Sequence, residues 1–248
     1  MTLEFDHDIK NKVETLDIDD INYRYNSEEK MMHAITHGNY DAYLEVMNFS
    51  DAPDGFDVRV KNDSNHLRNR KNGLTTRKTL FRVAARRGGV PPIYLHIIAT
   101  QYSTLIEQAT SAVYLDEVLS NEMARSFCDA VREYSIKGYS ATIQSAIGYI
   151  DSHLTQQLSV NKVAEALHFH PSYLSRKFKQ ETNRNLTDYV NSQRIEYAKS
   201  LFRTGKTNVT YVALSCGYSS SSYFSKVFKA YTGTFPTDYI KEVEENPF

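Results

Sequence analysis

The chain has 248 residues, enough for two domains of ordinary size, of which 41% are hydrophobic and 24% charged. That balance excludes a disordered or collagen-like chain, and no stretch approaches the roughly 18 consecutive apolar residues of a membrane span. The net charge of −1 hides local imbalance: the first twenty-nine residues hold nine acids and three bases, whereas Pro171 to Lys229 hold ten bases and three acids.

The periodicity predicts helices almost throughout, hence an all-α fold. Ser27 has the chemistry of a helix N-cap, and Gly38 marks that helix's end. Asn39 to Asn48 reads as a short partner helix. Phe56 to Val60 is the best strand candidate. A very basic helix runs from about Asn65 and stops at Gly88 and Gly89. Leu95, Ile98, Tyr102 and Leu105 form an apolar stripe at helical spacing, as do Leu115, Val118 and Leu119, continued by Phe127, Val131 and Tyr134. Lys137 to Ser140, with a glycine and a capping serine, interrupts the pattern, so residues 1–137 are expected to form a helical N-terminal domain and residues 140–248 a second domain. Ile143, Ile147, Ile150 and Leu154 open the latter.

Residues after 158 contain an internal repeat. Ser159 precedes Val160, Val163, Ala164 and Leu167; Asn208 precedes Val209, Val212, Ala213 and Cys216, at an offset of 49. A turn follows in each copy, one residue longer in the second, and Ser172 to Lys179 then matches Ser222 to Lys229 at an offset of 50. Each copy is helix, tight turn, helix, the plan of a helix-turn-helix unit, spanning 158–182 and 208–232. The turn demands a residue that tolerates positive φ: Gly217 in the second copy, His168 in the first. In each second helix an apolar pair (Leu174 and Phe178, Phe224 and Phe228) faces inward. Ser172, Ser175, Arg176 and Lys179, with Ser222, Ser225, Lys226 and Lys229 as counterparts, face outward. Short hydroxyls and long cations are the chemistry that reads base edges and grips phosphates in a major groove. Lys177 joins Lys179 and Lys229 as an expected phosphate contact. Leu186 to Thr204 reads as one linking helix of roughly 28 Å, near the ~34 Å between successive major grooves on one face of DNA.

These residues resemble the C-terminal DNA-binding domain of the AraC/XylS family of transcription regulators, over roughly 140–241. The resemblance is densest from Gly217 to Lys229, then at Thr232, Gly233, Pro236 and Tyr239. It implies two helix-turn-helix subdomains joined by a long linker helix, with base contacts at Ser172, Ser175, Arg176, Ser221, Ser222, Ser225 and Lys226. It also implies an activator responding to a small-molecule or cellular signal, with double-stranded DNA and RNA polymerase as partners and a homodimer as an open option. Arg194 matches a basic position of the family's linker helix; its place between Val190 and Ala198 assigns it a bracing role before a DNA role. Asn183 stands where the first copy usually has glycine. Phe235 stands where a serine or threonine usually caps the last helix, which is therefore expected to lose its cap or shift it to Thr234. Arg70 to Asn72, Thr79, Arg82 and Gly88 to Leu95 look like a helical N-terminal domain of some members, in place of the β-barrel of the best-known ones.

Lys61 to Arg87 holds nine bases against Asp63 alone. A solvated helix neutralised by the acidic first segment is the preferred explanation; the alternative is an anionic-effector site using Arg70, Lys71 and Arg82. His168 and His170 lack companions for a metal site and read as turn residues, so no metal or other cofactor is expected. Cys128 and Cys216 sit in no reactive motif and suit a reducing, cytoplasmic setting. No nucleophile motif points to an enzyme. The competing function is a helical protein-interaction module that keeps the scaffold without binding DNA.

Overall fold

A computed structural model describes residues 18–49 and 66–245, and the strand candidate at Phe56 to Val60 lies outside them. Among the described residues there are no strands. The chain forms α1 (Ile18–Thr36), α2 (Tyr40–Phe49), α3 (His66–Arg87), α4 (Pro92–Gln108), a π-helical turn (Tyr114–Leu119), and α5 (Ser120–Tyr134). Then follow α6 (Ala141–Ser152), α7 (Val160–Ala166), α8 (Pro171–Thr182), α9 (Leu186–Arg203), α10 (Val209–Ser215), α11 (Ser221–Thr232) and α12 (Pro236–Glu245). None of these helices is long and apolar enough to cross a membrane.

Among the described residues the buried hydrophobic side chains form three clusters. The first gathers Met31, Ile35, Tyr43, Phe81, Leu95, Leu115, Met123 and Phe127 from α1 to α5. Tyr43 meets Phe81 edge to face, and Phe81 meets Phe127 likewise, which suits the ring quadrupoles. Gly88 permits a close crossing here: a Cβ on it would lie 2.7 Å from the Thr36 carbonyl oxygen and 2.9 Å from Val131 Cγ2.

Two local expectations are corrected. Ser27 lies inside α1, which begins at Ile18; serine is a mediocre but permitted helix residue and does not interrupt a helix whose far face is already packed. Val118 is 42% exposed while Leu115 and Leu119 are fully buried, because the wider π winding keeps those two leucines on one face and rotates Val118 off it.

The second and third clusters share α9. Ile143, Ile147, Ile150, Leu154, Val163, Leu174, Phe178, Leu186 and Val190 pack around its first half. Ile195, Phe202, Val212, Cys216, Tyr218, Phe224, Phe228 and Ile240 pack around its second half. Each buried leucine, isoleucine or phenylalanine contributes about 1.5–3 kcal/mol. One helix thus belongs to two small cores, so neither core can rotate against the other without bending α9.

Candidate nucleic-acid interface

The local chemistry of the two repeats explains their shape. Ser159 and Asn208 cap α7 and α10, accepting from the amides of Lys162 (3.3 Å) and Tyr211 (2.9 Å). In the turns that follow, His168 and Gly217 occupy the left-handed region at φ 58° and 82°. His170 Nδ1 then accepts from the Ser172 amide at 3.3 Å and starts α8, while Ser220 does the same for α11 through Tyr223. The two histidines are therefore turn and cap residues. Among the described residues, no group of three or more His, Cys, Asp or Glu is placed to hold a metal. Asn183 and Gly233 end the two helices at φ 57° and 85°, so asparagine fills the left-handed position that glycine fills in the other copy.

The faces separate as their spacing requires. Leu174, Phe178, Phe224 and Phe228 are fully buried. Ser172, Arg176, Lys179, Ser222, Lys226 and Lys229 are exposed, and Ser175, Ser221 and Ser225 are half-buried. The Ser225 hydroxyl donates to the Ser221 carbonyl at 2.9 Å, leaving its lone pairs outward as acceptors. Tyr173 and Tyr223, 40% and 55% exposed, stand on the same two surfaces at equivalent positions; their repetition was the available sequence signal.

Lys177 stands apart from the other cations. Its ammonium pairs with Glu181 at 2.9 Å, and Glu181 accepts from the Ser140 amide at 2.7 Å and the Ser140 hydroxyl at 2.8 Å. These hydrogen bonds, the Ser140 amide first and Lys177 next, hold the Glu181 carboxyl below its usual range. Ser140 thus grips Glu181 and does not cap α6 with its side chain. The repeat already carried a hint, since the counterpart of Lys177 is Val227, which is 9% exposed.

Arg194 joins the two units. It is 8% exposed on α9. Its Nε donates to the Leu154 carbonyl at 2.9 Å and its guanidinium also donates to the Gln156 carbonyl, both in the segment between α6 and α7. The guanidinium carbon lies 5.2 Å from the Tyr218 ring centroid, in the second unit. The Tyr218 hydroxyl in turn donates to Asn191 Oδ1 at 3.1 Å, and the Tyr231 hydroxyl donates to the Asp188 carbonyl at 3.1 Å. A buried cation with carbonyl partners and a ring beneath it is a brace, as its apolar flanks in sequence suggested.

Phe235 precedes α12 with no side-chain oxygen to offer. The Asp238 and Tyr239 amides are met by its carbonyl, and its ring carries the Lys229 ammonium 4.1 Å from the centroid. The helix forms from Pro236 without a side-chain cap from Phe235, and the Thr234 amide and carbonyl are bound to the Thr232 hydroxyl.

The three candidates for an anionic effector are not brought together. Arg70 pairs with Asp116 at 3.3 Å, Lys71 donates to the Glu107 carbonyl, and Arg82 is exposed twelve residues further along α3. Twelve residues of α-helix amount to about 18 Å and roughly three and a third turns, which leaves Arg82 rotated by about 120° from Arg70.

A family described as "Helix-turn-helix domain" matches residues 163–242. Regulatory protein SoxS of Escherichia coli is 34% identical over 97 residues, covering 39% of this chain and 91% of SoxS. The chain belongs to the AraC/XylS family of transcription regulators. Porin thermoregulatory protein EnvY of E. coli is 32% identical over 161 residues, covering 65% of this chain and 58% of EnvY. Regulatory protein PocR of Salmonella typhimurium is 31% identical over 44% of this chain, which spans 36% of PocR. The C-terminal domain of AraT, a response regulator from Geobacillus stearothermophilus, is 33% identical over 42% of this chain and 86% of that one, with a TM-score of 0.41. The AraC-type domain therefore accounts for α7 to α12, and these relatives are regulators rather than enzymes.

Proposed function

We propose that this chain is a sequence-specific regulator that grips duplex DNA with α8 and α11 at neighbouring turns of the major groove. The observation that carries the reading is the repeated outward surface of serines and cations on two helices, with Arg194 of the linker helix holding the segment ahead of the first unit and the Tyr218 ring in the turn of the second. Ser172, Ser175, Arg176, Ser221, Ser222, Ser225 and Lys226 are assigned to base edges, and Lys179 and Lys229 to phosphates. The 18 residues of α9 span about 27 Å, which suits adjacent grooves with some bending of the duplex. Lys177, paired with Glu181, is assigned to the protein's own stability.

Family membership further supports activation of transcription through RNA polymerase in the cytoplasm, in response to a small molecule or a cellular signal. The helices α1 to α5 are proposed as the sensing or dimerising part. The deciding experiment is selection of bound duplexes from a random pool, followed by affinity measurements across salt concentration. A selected motif with two half-sites about one helical turn apart, and affinity falling steeply with salt, is expected. Absence of duplex binding at low salt would refute the reading in favour of a protein-interaction module.

A further inference from the structure

The AraC-type helices are packed against the N-terminal ones along a seam whose polar groups are incompletely matched. Gln193, fully buried on α9, donates through Nε2 to the Tyr94 hydroxyl on α4 at 2.7 Å. Tyr94 stacks on Tyr134 of α5 with centroids 3.9 Å apart and planes 6° from parallel. Asp151, at the end of α6, reaches the same place. It lies within electrostatic range of Arg86 on α3, Tyr94 on α4 and Tyr189 on α9. Arg184 and Tyr139 stand near Tyr189, and Glu196 stands near Tyr94.

Two acceptor oxygens at this seam, Asp151 Oδ1 and Gln193 Oε1, are sealed from solvent and have no hydrogen-bond donor. A buried acceptor without a donor is costly, and a buried carboxylate oxygen more so. Arg86 offsets this only in part, because it acts on the carboxyl through space and gives Asp151 Oδ1 no hydrogen bond. The least costly remedy available to the closed seam is a proton on Asp151.

We propose that the seam between the N-terminal helices and the linker helix is a proton-sensitive latch, closed while the Asp151 carboxyl keeps its proton and loosened when that proton passes to solvent. Burial pushes the Asp151 carboxyl up to about 7, against a smaller opposing pull from Arg86. Because the closed state raises this value, its support for closure is complete below the ordinary carboxylate range. That support is lost as pH rises through about 7. The latch bears on α9, the element shared by both cores of the proposed DNA-reading domain. Its effect on DNA rests on that reading, whereas the latch itself does not.

The test uses the full chain without DNA. Spin labels are attached at His96→Cys and Thr207→Cys, both exposed positions on either side of the seam, and their separation is measured by pulsed electron resonance from pH 5.5 to 8.5. A single narrow distance is expected at the acid end. A longer one should grow in as pH rises toward 7, the closed-to-open ratio falling by up to about tenfold per pH unit below that value and levelling off above it. Asp151→Asn, a neutral isostere, should hold the narrow distance throughout. An unchanged distribution in the parent chain, or opening of Asp151→Asn alongside it, overturns the proposal. Carbon NMR of the Asp151 carboxyl in the otherwise unaltered chain decides independently of any variant's folding: a midpoint near 7 is expected, and one near 4 overturns it.

Discussion

The Arg194 guanidinium and Gly217 touch: a Cβ on Gly217 would come within 2.9 Å of Arg194 Nη2 and 2.7 Å of the Thr155 carbonyl oxygen. The turn of the second helix-turn-helix unit is therefore pressed against the brace that holds the first, and the bareness of glycine is what allows it.

Arg194→Ala removes donors from the Leu154 and Gln156 carbonyls and the cation above Tyr218. A loss of about 2–4 kcal/mol is expected, since charged hydrogen bonds in a buried site are among the more valuable ones. Arg194→Lys should recover part of it, because an ammonium cannot fork to two carbonyls in the same plane. Urea denaturation checks both; a midpoint for the alanine variant equal to that of the parent contradicts the bracing role.

Gly217 and His168 occupy equivalent turns with unequal surroundings. Gly217→Ala incurs both the left-handed strain and the clash with Thr155, so a loss of about 1–3 kcal/mol is expected. His168→Gly relieves strain at a cost in chain entropy and should stay within about 1 kcal/mol of the parent. Thermal unfolding of the two side by side tests the comparison, and equal losses would remove the argument from close approach.

Arg176→Ala is expected to weaken binding by about 1–3 kcal/mol and relax site choice at one base step, whereas Lys179→Ala should weaken all sites alike and reduce the salt slope by about 1. Lys177→Ala should leave the salt slope unchanged and lower stability instead, as its ammonium serves Glu181. Salt titrations of all three on a specific and a random duplex separate these roles.

Glu181 has its carboxyl held low, chiefly by the Ser140 amide. Its contribution to stability is present above the ordinary carboxylate range and lost as pH falls through the lower folded value. Glu181→Gln should therefore destabilise the chain near neutrality, with the difference from the parent shrinking in strong acid. Melting temperatures from pH 2.5 to 7 check this; a difference independent of pH would mean the ionised carboxylate is not what matters.

Cys128 and Cys216 are both buried, and burial pushes each thiol up to about 12. Neither should react with a thiol reagent at pH 8 until the chain is unfolded, because the thiolate is the reactive form. Mass spectrometry after native labelling reads this directly, and prompt modification of either cysteine in the folded chain contradicts it.

Much of the surface proposed to face DNA was legible from residues within one helix of each other. Spacing four apart put Leu174 with Phe178 and Phe224 with Phe228, and the faces left over held the serines and cations. Side-chain caps at Ser159 and Asn208, and left-handed turns at His168 and Gly217, depend on residues only a few positions away, so pattern alone located them. Period could not foresee the π turn at Val118 or the long start of α1 ahead of Ser27, where winding and packing overrode local preference.

The sequence by itself determined that this is an all-α fold carrying two copies of one helix-turn-helix unit, because helix period, capping and turn conformation are local physics repeated twice. Only the tertiary structure decided that Ser140 grips Glu181 from another helix's start, that Arg70 meets Asp116 and Lys71 the Glu107 carbonyl, and that Gln193 meets Tyr94 across 99 residues of chain. Such pairings follow from which surfaces the packed cores bring face to face, and no repeating pattern along a single helix encodes the surface of another.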